Sequence, residues 1–148
     1  EMKPDMFVTI IYAVLDMSRN ELILSRGGHE LPIIVHATDR TGQAHSEFLS
    51  SEGMALGMVP AQIFNDAVAD LTIPFAKGDV LTLYTDGVTE AVNAEGVEFG
   101  NGRLADVLRS LRGRSSQEMT QGILDRIQLF SGTTQQSDDF TVVIAKHL

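Results

Sequence analysis

Apolar residues fill positions 6–15 almost without interruption (MFVTIIYAVL), and β-branched and aromatic types prevail among them. That run predicts a strand over 6–16, Met17-Ser18-Arg19-Asn20 as a turn, and residues 21–26 (ELILSR) as the second arm of a hairpin. Its near-continuous apolar character predicts a strand covered on both faces, in a sheet packed centrally. Gly27-Gly28 breaks the pattern before it resumes at 31–36 (LPIIVH). Thr38-Asp39-Arg40-Thr41-Gly42 reads as a turn, 43–49 as a more polar strand, and 50–60 as a loop punctuated by Gly53 and Gly57. Residues 66–75 (DAVADLTIPF) alternate as a strand would, Lys77-Gly78-Asp79 turns the chain, and 80–85 (VLTLYT) forms a short apolar strand ending at Asp86-Gly87.

Beyond that point the period changes from 2 to 3.6. Residues 88–94 fit one or two helical turns, and 102–112 place Leu104, Val107, Leu108 and Leu111 at helical spacing. Ser115 and Glu118 fit a capping box that opens a second helix, with Met119, Ile123, Ile127 and Phe130 on its buried face. A polar loop over 131–136 leads to a closing strand over 139–146 (DFTVVIAK). Several β elements, two helices and one more strand, without a repeat or linker, predict an α+β fold with an antiparallel sheet.

The 148 residues correspond to about one domain with a genuine core. No cysteine is present, which excludes disulfide scaffolds, thiolate zinc sites and cysteine nucleophiles. Eleven basic against twenty acidic residues leave a net charge of −9, the wrong sign for binding nucleic acid or an anionic membrane. No apolar run approaches the ~20 residues of a membrane span, and Glu1–Asp5 does not open a signal peptide. The expectation is a soluble, cytoplasmic protein. The acidic surplus leaves carboxylates available for a hard cation.

Two acidic segments stand at strand ends. Thr85-Asp86-Gly87-Val88-Thr89-Glu90 follows one apolar strand, and Ser137-Asp138-Asp139-Phe140-Thr141 precedes another. If those strands are antiparallel neighbours, Asp86 and Asp138 converge at one rim of the sheet, where carboxylates repel unless a cation neutralises them. Each segment taken singly is also an ordinary turn.

The string Gly78–Ala91 (GDVLTLYTDGVTEA) resembles a signature of the PPM-type metal-dependent serine/threonine protein phosphatases, in their bacterial SpoIIE/RsbU-like branch. Four further segments agree in order: Met6-Phe7-Val8-Thr9 with that branch's "MFVT", Arg26–Pro32 (RGGHELP) with "AGHNPP", Ala55-Leu56-Gly57-Met58 with "PLG", and Asp138-Asp139-Phe140-Thr141 with "DDxT". The resemblance implies an antiparallel β-sandwich flanked by helices. It also implies hydrolysis by water at two Mn²⁺ or Mg²⁺ ions, with no covalent enzyme intermediate. By the same resemblance Asp86 and Asp138 are catalytic metal ligands. Asp139 is a weaker ligand or supports Asp138, Gly87 lies near the site, and His29 occupies a turn near the metal centre. For His29 two readings stand: a hydrogen-bond donor or general acid near the leaving oxygen, or, more simply, a turn histidine that packs Gly27-Gly28 and bonds a carbonyl. His36, His45 and His147 have no ligand spacing and read as surface or packing residues.

The family's ion-bridging aspartate lies in an earlier Asp-Gly motif, and only Glu1 and Asp5 precede Met6. The expectation is therefore that residues 1–148 form the C-terminal part of a catalytic domain, weakly active alone, with Glu90 or Asp79 as fallback ligands. The implied substrate is a phosphorylated regulatory protein such as an anti-sigma-factor antagonist, and the implied context is an upstream sensor or receiver domain in bacterial signalling. The competing function is a phosphatase-like interaction module without turnover.

Overall fold

The computed structural model describes residues 6–37, 44–134, 136 and 138–148. The turn expected at 38–42 and the first residue of the strand expected over 43–49 lie outside them. The chain divides into two compact units, Glu1–Leu31 with Leu49–Lys77, and Pro32–Phe48 with Gly78–Leu148.

The first unit holds strands β1 (Ile10–Asp16), β2 (Glu21–Gly27) and β5 (Asp70–Pro74), with helix α1 (Ala61–Ala67). The expected hairpin forms between β1 and β2, with Tyr12 opposite Ser25 and Val14 opposite Ile23. Its turn closes because Asp16 Oδ1 accepts the Ser18 and Arg19 N–H groups at 2.9 and 3.0 Å, while Asn20 takes the left-handed φ of 54° that its short polar side chain tolerates. The sheet order is β1-β2-β5, so β1 is an outer strand, and it is not covered on both faces as expected. Ile10, Tyr12 and Val14 on one of its faces are exposed, Tyr12 by 66%. The inner strand is β2, whose Leu22 and Leu24 are fully buried. An apolar run shows that a segment can be covered, not that it is.

The single strand expected over 66–75 is also corrected. Residues 66–67 finish α1, which starts after Pro60, and only Asp70–Pro74 is extended. At seven residues, with none fully buried, α1 is too short for a 3.6-residue period to stand out from the sequence around it.

The second unit holds β3 (Ile33–His36), β4 (His45–Phe48), β6 (Val80–Tyr84) and β7 (Val142–Lys146), with helices α2 (Asp86–Thr89), α3 (Gly100–Leu111) and α4 (Ser116–Ser131). Its antiparallel sheet has the order β4-β3-β6-β7. Ile33, Val35, Val80 and Tyr84 pack with Leu104, Val107 and Leu108 of α3 and Met119, Ile123 and Ile127 of α4 in one core. Each such side chain, fully buried, contributes about 1.5–3 kcal/mol before the entropy of ordering it is subtracted. Helices α3 and α4 fall where the 3.6-residue spacing placed them, whereas the helical turns expected over 88–94 are corrected: the short helix is α2 at Asp86–Thr89, and 90–94 are not helical. The capping box forms as well: Ser115 Oγ accepts the Glu118 N–H at 3.3 Å, and a Glu118 carboxylate oxygen accepts the Ser115 N–H at 2.9 Å. Phe130 is only half-buried, its ring edge-on to Phe99 with centroids 5.4 Å apart.

At the start of β6 the Lys77–Asp79 turn is tied to the end of β7. The Gly78 N–H donates to the His147 carbonyl at 2.8 Å, and the His147 N–H to the Asp79 carbonyl at 3.0 Å. Gly78 has φ +91°, a conformation open to glycine and strained for other residues.

Candidate metal-binding active site

Strands β6 and β7 are antiparallel neighbours, with Tyr84 opposite Val142. The end of β6 therefore lies beside the start of β7, and the two acidic segments leave the sheet at the same rim. Backbone and hydroxyl bonds carry the pairing past the strands. The Thr85 N–H donates to the Thr141 carbonyl at 3.1 Å, and the Thr141 N–H donates to Thr85 Oγ1 at 3.0 Å. The Thr85 hydroxyl in turn donates to the Asp139 carbonyl at 3.3 Å.

At Asp86 the chain enters α2, and here the contact tightens further. A Cβ placed on Gly87 would lie 2.6 Å from the Asp139 carbonyl oxygen and 3.3 Å from a Phe140 ring carbon. Glycine at 87 thus lets the segment bearing Asp86 lie against the segment bearing Asp138 and Asp139.

Both carboxylates are exposed and held at one oxygen. Asp86 Oδ1 accepts the Gly87 N–H at 2.9 Å, and Asp138 Oδ1 accepts the Asp139 N–H at 2.7 Å. Such bonds restrain the side-chain rotamers. In kind, these donors fit a hard, oxygen-seeking divalent cation. In number they are few, since no group of three or more His, Cys, Asp or Glu side chains among the described residues is arranged to hold an ion. Water, or groups beyond these, must fill the remaining coordination positions.

The other sequence candidates fall into distinct places. Asp139 meets its neighbours through its backbone, donating to Asp138 and accepting from Thr85, while its side chain is exposed. Glu90 is exposed and caps α2 through its N–H to the Asp86 carbonyl at 2.8 Å. Asp79 sits at the opposite end of β6, where its buried carboxylate accepts the Ala37 N–H at 2.9 Å and lies 3.0 Å from His36 Nδ1. It is committed to holding the strand ends together and is no fallback ligand for the rim of Asp86. His36 also stacks on His45, with centroids 6.4 Å apart, so these histidines are packing residues as expected. His29 belongs to the first unit, where its Nδ1 lies 2.9 Å from Thr9 Oγ1 and its carbonyl accepts from Arg26 at 2.7 Å. Its ring nitrogen meets a hydroxyl and not the carbonyl expected of a turn histidine.

Sequence reasoning did not single out Thr85 and Thr141 as the pair that couples the acidic segments. The signal for it was two hydroxyl residues at mirror positions, one just past β6 and one just before β7.

The family described as Stage II sporulation protein E (SpoIIE) matches residues 1–148. The chain belongs to the SpoIIE family. SpoIIE-family domains are serine phosphatases, hydrolases of the PP2C type that use Mn²⁺ or Mg²⁺. Among relatives, the chain is 28% identical over 141 residues to the phosphoserine phosphatase RsbU of Bacillus subtilis, a match covering 95% of this chain and 39% of that protein. It is 36% identical over 103 residues to the protein IcfG of Synechocystis sp., covering 70% of this chain and 15% of that one. Among solved structures it is similar to the SiaA-PP2C domain of Pseudomonas aeruginosa, with TM-score 0.74 and 19% identity over 93% of this chain and 51% of that one. It is also similar to the phosphatase domain of SpoIIE from Bacillus subtilis, with TM-score 0.62 and 20% identity over 94% of this chain and 56% of that one. The chain thus spans well under half the length of these curated relatives and about half of these solved structures. The fold is the α+β PP2C-like one, with two antiparallel sheets and helices.

Proposed function

We infer that this SpoIIE-family chain is part of a metal-dependent phosphatase acting on phosphoserine or phosphothreonine of a regulatory protein, such as an anti-sigma-factor antagonist. Asp86 and Asp138 are the residues that would hold the cation, with Asp139 beside them. The observation that carries the reading is the coupling of Thr85 to Thr141, which ties the two acidic segments to one rim. Two exposed carboxylates carried on adjoining segments of a chain of net charge −9 would repel each other and the phosphate unless a cation intervened. A bound divalent ion supplies charge neutralisation at the phosphate oxygens and a more acidic water for in-line attack. The chain's own part is positional. Gly87 and Asp139 restrain one carboxylate oxygen each through their N–H groups, and Gly87 lets the segments close to contact distance.

The test is Mn²⁺-dependent hydrolysis of p-nitrophenyl phosphate and of a phosphoserine peptide by the full-length protein, beside its Asp86→Asn variant. The reading expects turnover in the first and loss of at least about a hundredfold in the second, with the fold retained by circular dichroism. Full activity in Asp86→Asn would refute the assignment. Absence of turnover in the full-length protein, with partner binding retained, would favour an interaction module.

A further inference from the structure

An open cleft of about 320 Å³ lies in the second unit, between the C-terminal half of α4 and residues Ala91, Val92, Gln136 and Phe140. Val92, Leu124, Ile127 and Phe140 supply its apolar surface, and Gln128 and Gln136 stand on its rim. Its two walls are continuous with the candidate active site. One begins at Ala91, two residues past the end of α2, which Asp86 opens; the other includes Phe140, two residues after Asp138 and within touching distance of Gly87. Gln136, on the same wall, donates its side-chain amide to the Asp138 carbonyl. None of its lining residues is ionisable, although the neighbouring rim carries Asp86, Asp138 and Asp139.

We propose that this cleft is a substrate-positioning subsite, which takes a large apolar side chain at a fixed offset from the phosphorylated residue of an extended phosphoprotein segment. The proposal rests on the phosphatase reading and deepens it. The division of labour follows from charge. The acidic rim with its cation reads only the phosphate, which every phosphoprotein offers. An uncharged cleft beside it discriminates by burial of apolar surface, and its amide rim satisfies the peptide backbone that an extended segment brings along. The volume is at the lower end of ligand pockets, ~300–1,000 Å³, and suits one side chain better than a whole small molecule. Filling or leaving empty such a subsite changes kcat/KM by about ten- to two-hundredfold.

The experiment uses the full-length protein with Mn²⁺ and phosphoserine peptides differing at one flanking position at a time, Leu, Phe or Ser. The readout is the ratio of kcat/KM values within each enzyme, which is independent of the folded fraction. Wild type should prefer Leu or Phe over Ser at one offset by about tenfold or more. Leu124→Gln should bring that ratio toward one. Leu124→Ala, which keeps the helix and enlarges the cleft, should shift the preference from Leu to Phe. A ratio of one at every offset in wild type, or an unchanged preference in both variants, overturns the subsite. Hydrolysis of p-nitrophenyl phosphate with such flat peptide ratios leaves the phosphatase reading standing. Failure to hydrolyse either substrate class overturns both.

Discussion

Thr85 and Thr141 hold each other at two points, N–H to carbonyl at 3.1 Å and N–H to hydroxyl at 3.0 Å. The first bond prolongs the β6–β7 ladder; the second depends on a side chain. Thr85→Val keeps the shape and removes the acceptor for the Thr141 N–H. A lost bond of this kind costs about 0.5–1.5 kcal/mol. Urea unfolding should show that loss, and Mn²⁺ affinity should fall with it because the two acidic segments are no longer tied.

Gly87 is the tighter constraint. Its missing Cβ leaves room for the Asp139 carbonyl, which would otherwise be met at 2.6 Å by a backbone atom that cannot swing aside. Gly87→Ala should therefore destabilise the protein by about 1–3 kcal/mol, the range for overpacking a filled site. It should also weaken Mn²⁺ binding more than Thr85→Val does. Alanine at the open Gly102, whose Cβ meets nothing within 4 Å, is the control and should leave Mn²⁺ binding unchanged.

At the other end of β6, Asp79 is a structural carboxylate. It is 3% exposed and bonded to the Ala37 N–H, with His36 beside it. Asp79→Ala strands that N–H and the His36 ring, at a cost of about 1–3 kcal/mol. Denaturant midpoints will show whether this exceeds the effect of Glu90→Ala, an exposed acid for which less than about 0.5 kcal/mol is expected.

Much of this was legible beforehand. β6 and β7 were readable as two short apolar strands, one ending and one beginning in acids, though their pairing stood only as a condition, and the α4 N-terminus was readable from Ser115 and Glu118. What escaped notice left no trace in hydrophobic spacing. α1 is seven residues long and has no fully buried residue, so Ala61–Ala67 offered too short a pattern to read. β1 is apolar on both faces, yet its place in the sheet depends on what pairs beyond it, which local pattern does not encode. Asp79 looked like a turn residue because its partners, Ala37 and His36, are more than forty positions away. The candidate site residues stood out because they sit in ordered motifs, whereas the cleft lined by Val92, Leu124 and Phe140 arises only when distant segments meet.

The capping box gives a pH dependence of known sign. Hydrogen bonds from the Ser115 backbone and then from its hydroxyl, with a smaller contribution from the Arg114 charge, hold the Glu118 carboxyl below its ordinary value. A lowered folded-state value means stability that is present above the unfolded value and is lost as pH falls through the folded one. Glu118→Gln should be less stable than wild type near neutrality, with the gap closing in strongly acidic solution. Thermal midpoints of both proteins across an acid series check this; a gap that widens on acidification contradicts it.

The central claim is that Asp86 and Asp138 hold one cation jointly. Isothermal titration of Mn²⁺ into the full-length protein, its Asp86→Asn and Asp138→Asn variants and the double variant tests it directly, because shared ligands are not additive. The account predicts that either single substitution removes nearly as much affinity as both together. Wild-type affinity in either single variant, or losses that simply add in the double, would contradict it.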